Sequence, residues 1–161
     1  MNSVGDIKIV RATSKQQYHD GRLLFEEYAK AINFDAGFIN FASELTSLES
    51  RYTAPDGCLL IAYKNDNAVG CIAVLKMQQA VAELKRFYVK PEFRQFKIGA
   101  KLLESAILMA KDLDFAHLRL EVIPSLIKAK KLYESFGFYS IEPYQNVALE
   151  GTAYMEKELV D

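Results

Sequence analysis

Apolar and polar residues follow two different periods along this chain, and each change of period marks an element. Residues 7–12, IKIVRA, alternate weakly and read as a strand. Thr13 and Ser14 then offer side-chain oxygens to cap a helix over residues 15–32, in which Tyr18, Leu23, Leu24, Tyr28 and Ala31 fall near one face. A second, short helix is predicted over residues 38–48. The β-rich runs 58–63 and 68–76 flank the polar cluster Lys64-Asn65-Asp66-Asn67, which predicts an antiparallel hairpin, and a strand over 80–89 continues the meander.

That last strand breaks its own pattern. Leu84 cannot share a face with Phe87 and Val89 under strict alternation, because a three-residue step turns the side chain over. Either one residue is inserted near Lys85-Arg86 as a β-bulge, or the strand is covered on both faces and alternation carries no information.

After Pro91 the period becomes helical, with Ile98, Leu102, Ala106, Met109, Ala110 and Leu113 aligned over 98–113. Leu118, Leu120 and Val122 then alternate in a strand over 117–123. A helix over 126–136 carries Leu126, Ala129, Leu132, Tyr133 and Phe136 on one side and is stopped by Gly137 in the C-cap position. Short strands over 138–141 and 152–159 end the chain. This order predicts an α/β (α+β) fold, one mixed sheet with helices on both faces.

Composition narrows the function classes. The chain has 161 residues with 20 Lys+Arg against 21 Asp+Glu, a formal net charge of -1, and half of its residues are hydrophobic. That length fits one domain with a real core. The balanced charge supplies no basic stripe for nucleic acid. Apolar runs such as 58–63 and 71–75 fall far short of the ~20 residues that span a bilayer, so no membrane partner is expected. The opening MNSVGDIKIV lacks a basic-then-apolar export signal, so a cytoplasmic location is expected, with Cys58 and Cys71 as reduced core thiols. His19 and His117 add no spacing that suits a metal.

The stretch LKRFYVKPEFRQFKIGAKLL, residues 84–103, carries the chemistry. A strand runs through a Pro turn into a loop with Arg94, Lys97 and Gly99, and then into an amphipathic helix. Free N–H groups of a first helical turn and the positive end of the helix dipole favour phosphate, and a nearby cation adds a charge-assisted bond. No P-loop and no dinucleotide fingerprint is present. A merely solvated loop would show the same features.

Val89, Pro91, Arg94, Gly99 and the helix start Ala100-Lys101-Leu102-Leu103 resemble the acetyl-CoA-binding motif of the GNAT N-acetyltransferase superfamily. Independently, AKKLYESFGF at 129–138 is similar to that family's helix ending in Leu-Tyr-Glu-x-x-Gly-Phe. The end of the chain and the 84–94 stretch look most like small bacterial-type members whose acceptors are mostly unassigned. Two positions depart from the motif. Lys97 stands at the usual first Gly, where a positive φ would cost on the order of 1 kcal/mol, and Leu126 replaces a frequent Asn.

The resemblance implies a single GNAT-like domain over 1–161, a mostly antiparallel sheet with a splayed, bulged fourth strand, and acetyl-CoA as co-substrate without a metal. Backbone N–H groups at Phe87, Tyr88 and Val89 would hold the pantetheine arm. The turn of Arg94, Gln95, Phe96, Lys97, Ile98, Gly99 and Ala100 would hold the pyrophosphate. The implied reaction is direct attack, in a ternary complex, by a primary amine of a small molecule or peptide. Glu83 would be the base, or else a strand carboxylate paired with Lys85 or Arg86. Tyr133 would protonate the leaving thiolate while also packing in the core. A homodimer is compatible with this reading. The acceptor is expected over 28–52, where Phe34, Asp35, Phe38, Phe41 and Tyr52 either cup a cationic amine or pack a helix; Arg51 and Arg86 would instead select a carboxylate. The alternatives are a catalytically silent acyl-CoA-binding module and a domain for another phosphorylated ligand.

Overall fold

A computed structural model describes residues 6–32, 41–145 and 150–159. Strand β1 (Ile7–Arg11) leads into helix α1 (Lys15–Ala31) through a capping box, in which Ser14 Oγ accepts the Gln17 N–H at 3.1 Å and Gln17 Oε1 accepts the Ser14 N–H at 3.1 Å. Two short helices follow, α2 (Phe41–Leu45) and α3 (Leu48–Arg51). The helix expected over 38–48 therefore ends at Leu45, and its first three positions lie outside the described residues. The Thr46 and Ser47 hydroxyls each donate to the Ser43 carbonyl at 2.9 Å, a local competition that interrupts the helical ladder.

Strands β2 (Gly57–Lys64), β3 (Asn67–Gln78) and β4 (Val81–Val89) form the meander. Asn65 and Asp66 turn the hairpin with φ of 50° and 73°, the backbone that tight hairpins favour. A 3-10 helix (Pro91–Phe96), α4 (Ile98–Asp112), β5 (His117–Val122), a 3-10 helix (Pro124–Ala129), α5 (Lys130–Ser135), β6 (Tyr139–Ser140) and β7 (Ala153–Glu158) complete the order. The helix expected over 126–136 is thus shorter, because Leu126 at φ -116° and ψ 21° is not helical and only Lys130–Ser135 is α. It ends in a Schellman motif: Gly137 at φ 94°, its N–H on the Glu134 carbonyl at 3.0 Å and the Phe138 N–H on the Tyr133 carbonyl at 3.1 Å.

The seven strands form one sheet in the order β1-β2-β3-β4-β5-β7-β6, antiparallel except where β4 meets β5. Alternation sends Cys58, Leu60, Val74, Leu84 and Leu118 to the face covered by α4, with Ile98, Leu102, Leu103 and Ala106. Leu59, Ile61, Cys71, Ala73 and Tyr88 go to the face covered by α1, with Tyr18, Leu24 and Phe25. Phe25 replaces Leu23 in the inward set, since Leu23 is 49% exposed. Cys58 and Cys71 are free, buried and on opposite faces of the sheet, an arrangement that separates their side chains by the sheet itself.

The irregularity in β4 is a bulge on a strand covered from both sides. Ala73 pairs with Lys85 and Cys71 with Tyr88, so Arg86 and Phe87 together oppose one residue of β3, and Arg86 takes φ 56°. The insertion lets Leu84, Phe87 and Val89 all face α4 while Tyr88 faces α1.

Candidate active site

β4 and β5 pair only from Val81↔His117 to Glu83↔Arg119 and then diverge, although both strands continue. Beyond Glu83 the edge of β4 toward β5 therefore has no strand partner among the described residues. The split opens a groove of about 350 Å³ whose walls include Glu83, Lys85, Phe87, Glu121 and Tyr133.

At the end of β4 the chain turns into α4 through Lys97, which has φ 59° and ψ 27° and gives the helix no side-chain cap. The expected left-handed residue is present, with the cost a non-glycine pays there. Ile98, Gly99 and Ala100 form the first turn, whose N–H groups have no intrahelical acceptor and sit at the positive end of a fifteen-residue helix. A Cβ on Gly99 would meet the Phe87 ring at 3.4 Å, so the turn lies directly against the bulged strand. Arg94 Nε donates to the Val89 carbonyl at 2.9 Å and its guanidinium stands 5.9 Å from the Tyr88 ring centre, tying the 3-10 helix to the strand end. Tyr88, Val89 and Ile98 have buried side chains, which leaves the backbone as the part of them that a ligand could reach. Gln95 and Lys97 are exposed, and Phe96 closes the 3-10 helix. Leu126, at the position of the usual Asn, packs against the apolar core and lines the groove.

The two sides of the split carry different chemistry. Before the bulge Glu83 faces α1, and its Oε2 accepts the Tyr144 hydroxyl at 2.7 Å. Glu121, between the inward Leu120 and Val122, faces the same way and accepts the Gln145 side-chain amide. Burial and then the Glu83 charge hold the Glu121 carboxyl above its usual range. Tyr133 belongs to the opposite, α4-covered face, with ring centres 6.1 Å from Phe87 and 5.8 Å from Phe138. Burial raises its phenol well above the ordinary value, and its hydroxyl has no hydrogen bond to a described residue. A group lying in the split has carboxylates on one side and a protonated phenol on the other.

The expected acceptor segment resolves into structural and free parts. Arg86 Nε and Nη2 grip Glu44 at 2.9 Å and 2.6 Å, and Tyr52 donates to Glu44 at 3.1 Å. Tyr52 is fully buried with its ring 5.8 Å from Phe25, so it is a core residue, and Arg86 is committed to Glu44. Phe41 lies 5.7 Å under the Arg86 guanidinium. Phe34, Asp35 and Phe38 lie outside the described residues. Arg51 lines the groove with its Nε buried and without a hydrogen-bond partner among the described residues.

Glu44, Glu121, Tyr144 and Gln145 were not singled out by sequence reasoning. Glu121 had a signal, since a carboxylate among alternating Leu and Val marks the outward face of a strand that runs beside Glu83. Tyr144 and Gln145 had none, because they reach the site from a loop 61 and 24 residues away from their partners. Among the described residues no helix is long and apolar enough to cross a membrane, and no group of three His, Cys, Asp or Glu side chains is placed to hold a metal.

Comparison with known proteins agrees with this architecture. The sequence model of the acetyltransferase (GNAT) family matches residues 23–138. An uncharacterised N-acetyltransferase of Schizosaccharomyces pombe is 32% identical over 161 residues, covering 99% of both chains. A GNAT-family acetyltransferase of Staphylococcus aureus shares the fold with a TM-score of 0.80 at 22% identity, over 96% of this chain and 99% of that one. The PaiA N-acetyltransferase of Thermoplasma acidophilum, solved in complex with coenzyme A, gives a TM-score of 0.69 at 21% identity over 94% and 98% of the two chains. With a parted β4 and β5, a bulge before the turn and an uncapped helix start after it, and with these matches along nearly its whole length, the chain belongs to the acetyltransferase (GNAT) family.

Proposed function

We propose that this protein is an acetyl-CoA-dependent N-acetyltransferase that moves an acetyl group onto a primary amine by direct attack within a ternary complex, working as a single domain in the cytoplasm. The observation that carries the reading is the split after Glu83, with carboxylates on one face, Tyr133 on the other and the open turn of α4 at its end.

The free N–H groups of Ile98, Gly99 and Ala100 suit a pyrophosphate, and the unpaired edge of β4 at Phe87, Tyr88 and Val89 suits an extended amide-bearing arm. Arg94 acts mainly by fixing the turn to the strand, since its Nε is engaged by Val89. When bound, acetyl-CoA supplies the activated acyl carbon.

An alkylammonium near pKa ~10.4 is neutral in less than about one part in a thousand at pH 7, so a base must take its proton. Glu83 and Glu121 divide that role. Glu121, whose carboxyl is raised by burial and by Glu83, takes the proton, and Tyr144 holds Glu83 in place. As the N–C bond forms and the C–S bond breaks, negative charge collects on sulfur. A thiol near ~8.5 is more acidic than the raised Tyr133 phenol, so Tyr133 donates a hydrogen bond to the departing sulfur and stays protonated; the first ammonium proton leaves through the carboxylates, and the second, shed by the nitrogen as the amide forms, ends on the thiolate or in solvent.

The test is a thermal-shift series with acetyl-CoA, CoA, ATP and NAD, followed by thiol release with amine acceptors. Stabilisation by acetyl-CoA and CoA alone, with amine-dependent thiol release, is expected. Acetyl-CoA binding without release from any amine would identify a silent acyl-CoA module, and stabilisation by ATP or NAD instead would overturn the reading. Two titratable thiols on denatured, unreduced protein are expected for a reducing compartment; fewer would contradict it.

A further inference from the structure

Six charged side chains line the groove at the split, and two of them, Arg86 and Glu44, satisfy each other at 2.6 Å. The remaining four separate by sign. Glu83 and Glu121 stand on neighbouring strands and the same face, each is met by a neutral donor, Tyr144 or Gln145, and among the described residues neither is in an ion pair within 4.0 Å, although the Lys85 charge acts on both from farther off. Lys85 follows on the same face of β4, opposite Ala73 of the α1-covered core. Arg51 ends α3 and reaches the same groove. Among the described residues neither cation has an ion pair within 4.0 Å, and the buried Arg51 Nε has no acceptor. Burial and then the Arg86 charge push the Lys85 ammonium below its usual value; Glu44 and Glu83 oppose the shift and Arg51 adds to it, so Lys85 and Arg51 are near enough to disfavour each other.

A like-charged pair beside an unmet guanidinium N–H is relieved by an anion, and two neighbouring carboxylates without an ion pair are relieved by a cation. Resting on the N-acetyltransferase reading and going beyond it, we propose that the acceptor is a small zwitterionic amine, an amino acid or a related amine that bears a carboxylate or phosphate. Glu83 and Glu121 receive its ammonium, and Arg51 and Lys85 receive its anionic group. The groove, about 350 Å³, must also admit the thioester end, which keeps the acceptor small.

The experiment compares kcat/KM for thiol release from acetyl-CoA across matched acceptors. One arm holds the common α-amino acids and the ω-amino acids from glycine to 6-aminohexanoate, and a second holds O-phosphoethanolamine. The controls are the corresponding amines without the anionic group, a diamine, and a peptide with a free N-terminus and an amidated C-terminus. At least one zwitterion is expected to exceed its matched amine by about tenfold or more, the two arms telling carboxylate from phosphate. Arg51→Gln and, separately, Lys85→Met should erase that advantage, mainly through KM, while the Kd for acetyl-CoA by calorimetry stays as in the wild type. Arg51→Lys should recover part of it. Preference for the plain amines, the diamine or the peptide overturns the proposal, as does a zwitterion preference that survives both substitutions. Acetyl-CoA binding with no acceptor of either arm turned over also overturns it while leaving acyl-CoA binding intact, whereas failure to bind acetyl-CoA removes the underlying reading as well.

Discussion

Arg86 holds Glu44 through two hydrogen bonds, 2.9 Å from Nε to Oε2 and 2.6 Å from Nη2 to Oε1. Because Arg86 is also the bulge residue at φ 56°, this one pair ties the kink of β4, and hence the position of the split, to helix α2.

Glu44→Gln leaves Arg86 in a half-buried site without its counter-charge, a loss of about 3 kcal/mol, which should lower the thermal midpoint at pH 7 by roughly 6 °C or more. Burial pushes the Glu44 carboxyl up, but Arg86 outweighs it and the net displacement is downward. A depressed carboxyl contributes stability above its unfolded value and loses it as pH falls toward the folded value. The gap between wild type and Glu44→Gln should therefore close as calorimetric scans move from pH 7 to about pH 3; a gap independent of pH would refute the ionic account.

Tyr133→Phe keeps the ring packed between Phe87 and Phe138 and removes only the hydroxyl, which has no partner among the described residues. Single-turnover acetyl transfer should slow by about tenfold or more with little change in thermal midpoint. A rate within about twofold of wild type would leave Tyr133 with a packing role alone.

For the carboxylates the decisive measurement is the pH profile of kcat/KM. Activity should fall on the acid side at a pH above the ordinary carboxylate range, because Glu121 must be ionised and is raised by burial and by Glu83. Removing the Glu83 charge in Glu83→Gln should move that limb to lower pH, and Glu121→Gln should abolish it with a loss of about tenfold or more. A limb unmoved in both variants would place the proton acceptor elsewhere.

Lys97→Gly tests the left-handed turn. Relief of roughly 1–2 kcal/mol at φ 59° opposes an unfolded-state entropy cost of roughly 0.4–1 kcal/mol, so the thermal midpoint should rise by up to about 6 °C. A fall would mean that the lysine side chain contributes stability that outweighs the strain.

Much of this protein is local and so was legible in the chain. The hairpin turn at Asn65-Asp66, the capping residue Ser14, the Gly137 stop and the α4 stripe each depend on a few adjacent residues, whose backbone preferences and periodicity suffice. The bulge was one of two readings the pattern of β4 left open, since Leu84 and Phe87 share a face only with an inserted residue, and the structure shows it on a strand that is also covered from both sides. Pattern failed where local side-chain hydrogen bonds or packing chose between near-equal local states, as at the break between α2 and α3, the 3-10 segment before α5 and the exposure of Leu23. The site divides the same way. The turn into α4 and Tyr133 lie within continuous motifs. The charge arrangement depends on groups far apart in sequence: Glu44 on Arg86, Tyr144 on Glu83, Gln145 on Glu121. Which carboxylate is neutralised and which guanidinium keeps an unmet N–H is a property of distance in the folded chain, and sequence order carries no measure of it.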